Sequence, residues 1–243
     1  MKHVNCKRIC LWSGPRNIST ALMYAFAQRP DTRVYDEPLY GFYLKSTRAK
    51  EYHPGADEVM ASIECDSSKV VAMMMGPHET PVVFFKNMGH HLGDIDKSFM
   101  ASAHNVILTR HPAQVIASFA KEIPNPSILD VGFKAQAELL DQLMLMGAKT
   151  TVVDSNQILK DPEGDLNRLC DEIGIPFYKE MLHWKAGPRP EDGVWAPHWY
   201  RNVHASTGFG PYVEKPDTVA AHLASLLEEC MPYYNRLMGA ITV

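Results

Sequence analysis

A three-layer α/β/α fold around a mostly parallel sheet is the architecture this sequence predicts. Three observations carry that expectation. Short β-branched and aromatic runs alternate with segments at helical spacing along most of the chain. The run Pro81-Val82-Val83-Phe84-Phe85 does not alternate with polar residues, as a strand covered on both faces requires. The polar residues suited to chemistry fall just after the strands, at the edge where such sheets bind ligands.

Strands are expected at 8–13, 32–35, 82–86, 105–109 and 150–154, and helices at 19–28, 92–101, 112–121 and 133–147. Gly147 suits a helix stop. Asp161-Pro162 reads as an N-cap and first-turn proline opening a helix through Ile173, and a closing helix is expected at 216–238. The Met73-Met74-Met75 run reads as helix packing on the core. Two stretches break the rhythm: 38–55, read as an irregular lid rich in Tyr and Lys, and 186–211, a loop dense in Pro, Gly, Trp and His. In that loop Trp195, Trp199 and Tyr200 either pack onto the core or face a ligand.

Length suits one domain over 1–243, with 186–243 as its aromatic loop and closing helix. A formal net charge of -4 disfavours nucleic acid or a membrane surface as partner. Lys2, Lys7 and Arg8 frame no apolar run long enough for a secretory leader, and no segment approaches a membrane span, so a cytoplasmic protein is expected. Five cysteines without CxxC spacing read as free thiols; Cys6 and Cys10 near His3 lack a second ligand pair, so no metal site is expected. No oligomeric state is specified by the pattern.

The segment Leu11-Trp12-Ser13-Gly14-Pro15-Arg16-Asn17-Ile18-Ser19-Thr20 carries the chemistry. A strand runs through a Gly-Pro turn into a helix whose free N–H groups and positive dipole end favour a phosphate or sulfate. Arg16 adds a fork of donors, and Ser19 and Thr20 each add a hydroxyl. Nothing reads GxxxxGK[ST], which disfavours an ordinary kinase or ATPase. A second strand-to-helix element, Asn105 to Ser118, places Arg110 at a strand end and Ser118 two helical turns on, a pair suited to a second phosphate.

At these residues the chain resembles the sulfotransferases that use 3′-phosphoadenosine 5′-phosphosulfate (PAPS). Pro15-Arg16-Asn17-Ile18-Ser19-Thr20 falls on the family's 5′-phosphosulfate loop, and Arg110, Pro112 and Ser118 match its 3′-phosphate motif. Val152-Val153-Asp154 with Asp161-Pro162 resembles the strand–DP–helix segment that follows. The resemblance spans roughly Arg8 to Pro176 and implies a P-loop-like fold, PAPS as co-substrate, no metal, and a small-molecule acceptor. It departs at Asn17-Ile18, which replace a small Ser-Gly, and in lacking the C-terminal Arg-Lys-Gly element. Arg201 or Ser206-Thr207-Gly208 are the expected substitutes.

Sulfuryl transfer needs an anchored donor, an in-line acceptor, a base and cations for the leaving phosphate. Arg16 is expected at the bridging oxygen, with Lys86 as a second cation. The resemblance carries a catalytic glutamate onto Glu37; His90 or His91 is the competing base, resembling the Lys-Thr-His of cytosolic enzymes. Tyr40, Tyr43 and Lys45 are candidates to shape the acceptor pocket. Two other readings stay open: a divergent P-loop kinase with Asp154 as its metal-binding acid, and a non-catalytic sensor of the adenosine bisphosphate.

Overall fold

The structure, a computed structural model, describes residues 6–242; Lys2 and His3, invoked above, lie outside them. Along the chain run β1 (Lys7–Ser13), α1 (Ser19–Ala27), β2 (Thr32–Asp36), α2 (Tyr40–Ser46), α3 (Ala56–Ser62), α4 (Ser67–Met75) and β3 (Val82–Met88). There follow β4 (His104–Thr109), α5 (Pro112–Phe119), α6 (Ile128–Val131), α7 (Phe133–Leu145), β5 (Thr150–Asp154), α8 (Ser155–Lys160) and α9 (Pro162–Ile173). Two four-residue helices, α10 (Ala196–Trp199) and α11 (Arg201–His204), precede α12 (Ala224–Met238).

The five strands pair in parallel in the order β2-β3-β1-β4-β5. Because side chains alternate along a strand, each strand feeds two cores. Cys10 and Trp12 of β1 and Val83 and Phe85 of β3 face the layer of α4, α5, α7 and α12. Ile9, Leu11, Val82 and Phe84 face α1, α8 and α9. The helix after β1 thus lies on one face and the helix after β4 on the other. The chains leaving adjacent strands β1 and β4 turn to opposite faces, which opens a crevice at the carboxyl ends, the usual ligand site of an open α/β sheet.

All five strands and the helices from 19, 112, 133 and 162 stand within a few residues of expectation. Gly147 does end its helix, at φ 62°. In the Met run, Met74 is fully buried while Met73 is exposed.

Three expectations fail locally. The helix expected at 92–101 is replaced by 3₁₀ turns at Gly89–Leu92 and Ser98–Ser102, separated by Gly93 at φ 49° and by Asp96, whose carboxylate accepts from Ser98 N at 2.9 Å. The lid at 38–55 is ordered: α2 buries Tyr40 and Leu44 in a third cluster with Val59 of α3 and Trp195 of the aromatic loop. These partners are distant in sequence, so no local pattern announced them. The closing helix begins at Ala224, after a 3₁₀ turn at Ala221–Leu223, rather than at Pro216.

Phe84 is 1% exposed and stacks on Phe26 of α1 with centroids 4.3 Å apart. Phe84→Ala should destabilise the fold by about 3–5 kcal/mol in urea titration, the cost of removing a large ring from a close-packed core.

Candidate active site

The β1–α1 loop is held from both sides of the crevice. Asn17 donates through Nδ2 to Leu108 O of β4 at 3.1 Å and accepts from Ser155 Oγ at 3.2 Å. Gln136 Nε2 of α7 donates to Leu108 O at 2.7 Å and to Trp12 O at 3.3 Å. The Asn that departs from the family's Ser-Gly is therefore a staple between neighbouring strand ends. Gly14 is needed for close approach: a Cβ there would sit 3.0 Å from Val131 O. Arg16 adopts φ 57°, a left-handed conformation costly for an arginine and kept only where surroundings impose it.

Its surroundings are the second anchor. Arg16 Nε donates to Ser118 Oγ at 3.0 Å, and Arg110 Nη1 donates to Arg16 O at 3.0 Å. The two anion motifs therefore interlock at their side chains. Arg110 Nε donates to Gln114 Oε1 at 3.0 Å; Gln114 Nε2 donates to Asp217 Oδ1 at 3.2 Å, and His111 Nδ1 lies 3.2 Å from the same oxygen. Asp217 thereby ties the irregular segment before α12 to α5 and brings Lys215 to the same cavity. Burial and the neighbouring Arg110 and Arg16 hold the Lys215 ammonium below its ordinary pKa. Lys215 was missed in the sequence, where it is one more lysine in an unpatterned stretch.

At the ends of β2 and β3 sits a buried ion network. Lys86 is 1% exposed; its Nζ lies 2.9 Å from Asp36 Oδ1 and 2.7 Å from Tyr200 OH, and also donates to Glu37 Oε1. Tyr200 OH donates to Asp36 at 2.8 and 2.9 Å and accepts from Trp195 Nε1 at 3.1 Å. All three ammonium protons have partners, so Lys86 holds the carboxylates rather than standing as a free cation. Burial opposes the Lys86 charge, yet Asp36 and Glu37 outweigh it and raise its pKa. Burial raises the Glu37 carboxyl, with Asp36 adding to it against the pull of Lys86. Glu37 has φ 43°, the second strained residue of the site.

Facing Glu37 is a wall of rings from α2 and the 3₁₀ turn after β3. His91 Nδ1 lies 3.9 Å from Glu37 Oε2, and its ring stacks on Tyr43 at 4.5 Å and Tyr40 at 4.9 Å. His90 meets Tyr43 edge-on at 5.1 Å, and His53 Nδ1 lies 2.7 Å from Tyr40 OH. Burial pushes His90 down to about 4 and His91 well below the usual histidine value. Burial thus favours the uncharged form of both rings.

One cavity of about 370 Å³ joins these parts. Pro15, Arg16, Asn17, Ile18, Ser19, Thr20, Glu37, Lys86, His90, Arg110 and Ser118, all singled out in the sequence, line it. Ser206 and Gly208 do so as well, whereas Arg201 is exposed and does not. Of the loop aromatics, Trp199 and Tyr200 line it while Trp195 packs edge-on against Tyr40 at 5.2 Å. Asp154 caps α8, its Oδ1 accepting from Asn156 N and Gln157 N at 2.8 and 3.1 Å. Among the described residues, no group of three or more His, Cys, Asp or Glu side chains is placed to hold a metal, and no helix is long and apolar enough to cross a membrane.

A family model described as "Sulfotransferase domain" matches residues 7–240. The chain belongs to the sulfotransferase domain family. Its fold agrees with solved sulfotransferases at low identity: a domain of the Synechococcus PCC 7002 olefin synthase (TM-score 0.58, 18% identity, 94% of this chain and 95% of that one) and a sulfotransferase from Alicyclobacillus acidocaldarius (0.54, 13%, 97% and 96%). Two curated Arabidopsis thaliana relatives, branched-chain-amino-acid aminotransferase-like proteins 1 and 2, are 42% and 41% identical over 95% and 93% of this chain. This sulfotransferase domain spans about two fifths of their length.

Lys86→Met should lower stability by about 3–5 kcal/mol in denaturant titration, because it leaves Asp36 and Glu37 buried without their shared counter-charge.

Proposed function

We propose that this sulfotransferase moves a sulfuryl group from PAPS to a hydroxyl or amine of a small metabolite. The observation that carries the reading is the joining, in one cavity, of the interlocked Arg16–Ser118–Arg110 anchor and a buried, strained Glu37. The residues suit a doubly phosphorylated adenosine. The N-cap position of α1 offers no side-chain hydrogen bond, which leaves its first-turn N–H groups for an anion. Both Nη atoms of Arg16 lack hydrogen-bond partners among the described residues, and Lys215 adds a third cation.

In this reading Arg16, Arg110, Ser118 and Lys215 hold the phosphates, with Ser19 and Thr20 at the helix start. The acceptor hydroxyl gives its proton to the Glu37 carboxylate as its oxygen bonds to sulfur. The bond from sulfur to the 5′-phosphate oxygen breaks, and its electron pair stays on the departing adenosine 3′,5′-bisphosphate. Lys86 and Tyr200 fix Glu37, and neutral His91 packs beside it. Glu37 is favoured over His90 because burial raises a carboxylate toward useful basicity but depresses an imidazole away from it.

Calorimetry should show binding of adenosine 3′,5′-bisphosphate, weakened about 10- to 100-fold in Arg110→Ala by loss of charge-assisted hydrogen bonds. Undiminished binding when Arg16 and Arg110 are both alanine would sink the reading. Glu37→Gln should lower kcat about 10²- to 10⁴-fold in a labelled-sulfate assay while nucleotide affinity persists. The working form of Glu37 is ionised and its pKa is raised, so kcat/KM should fall as pH drops through a value above the usual carboxylate range. That acid limb should be absent from the residual activity of Glu37→Gln.

A further inference from the structure

The cavity is lined by charged groups of both signs. Arg16, Arg110 and Lys215 gather where the ends of β1 and β4 meet the irregular segment before α12. Among the cavity-lining carboxylates, Glu37 is engaged by Lys86, whose protons are all taken, and Asp130 of α6 adds a second. Asp130 lies close enough to Tyr43, His53 and His90 for its charge to raise the pKa of each group. Among the described residues Asp130 accepts through Oδ2 alone, from Ser127 N at 2.7 Å and Ser127 Oγ at 2.6 Å.

The walls at this end are π surfaces. Tyr40, Tyr43, His53, His90, His91 and Trp199 all line the cavity, with neighbouring centroids 4.5–6.5 Å apart. Burial holds the three imidazoles below the ordinary histidine pKa, which favours their uncharged forms. Tyr43, His90 and Asp130 also line a second cavity of about 760 Å³. On that side Lys97 donates to Gly93 O and Arg48 pairs with Glu51, so both cations have other partners.

We propose that the acceptor is a cationic amino alcohol whose ammonium sits among Tyr43, His90 and Trp199 beside Asp130 while its hydroxyl faces Glu37. An aromatic wall attracts a cation through the ring quadrupole, and a nearby carboxylate adds direct attraction. An anionic acceptor would meet the like charge of Asp130, and a neutral one would leave that carboxylate without a cation. The inference deepens the transfer reading and rests on it for the role of the hydroxyl; the cation site stands on the cavity itself.

Calorimetric titration with 2-(trimethylammonio)ethanol and its neutral isostere 3,3-dimethylbutan-1-ol tests the site, with and without adenosine 3′,5′-bisphosphate. The ammonium alcohol should bind about tenfold tighter or better. Asp130→Asn keeps an oxygen for Ser127 and should cut that preference several-fold, as should Trp199→Leu, by roughly 2- to 30-fold, while Trp199→Phe retains most of it. Equal affinities, binding of neither alcohol, or a preference unmoved by both Asp130→Asn and Trp199→Leu would overturn the proposal. Nucleotide binding in the same titrations reports separately on transfer. Loss of nucleotide binding with the ammonium preference intact overturns the donor reading and upholds the cation site. Nucleotide binding without that preference does the reverse.

Discussion

Lys86 leaves the end of β3 into a space with almost no solvent, where an unpaired ammonium would be expelled by its own desolvation. It is retained because Asp36 and Glu37 from the end of β2 and the Tyr200 hydroxyl from the start of α11 close around it. One charge thus joins the sheet edge to the aromatic loop. The cluster of Tyr40, Leu44, Val59 and Trp195 packs over the join, and the strained Glu37 backbone is held beneath it. Buried ion networks are not in themselves a source of stability. Here the network gives a carboxylate a defined position inside a cavity, where burial raises its pKa against the pull of Lys86.

The opposite end is organised by the strand order. β1 lies between β3 and β4, so the anion-binding turn after β1 can be stapled to the β4 end by Asn17 and buttressed by Gln136. Arg16 then reaches Ser118, and Arg110 reaches back to the Arg16 carbonyl. Two non-glycine residues with positive φ, Arg16 and Glu37, mark the two ends of one cavity. Backbone strain kept at both places is the usual sign that position matters more there than local energy.

Much of this was legible locally. A continuous apolar run specifies a strand covered on both faces, and the Gly-Pro turn before Ser19 specifies a helix start able to take an anion. The spacing of Arg110, Pro112 and Ser118 carried the second anchor, because eight residues from a strand end are two turns of the next helix. The helical lid was not legible: α2 is short, and its burial comes from Val59 and Trp195, far along the chain. Nor was Lys215, whose place depends on Asp217 meeting His111 and Gln114.

The amino-acid sequence by itself determined the layered parallel sheet, the anion-binding turn and the residues at the strand ends, since periodicity, turn chemistry and helix starts are properties of neighbours. Tertiary structure alone decided the partners. It gave Lys86 to Asp36, Glu37 and Tyr200, turned Arg16 toward Ser118, left Arg201 in solvent, and gathered rings from three segments around Asp130. Charge pairing and desolvation depend on distances across the fold, which linear spacing does not encode.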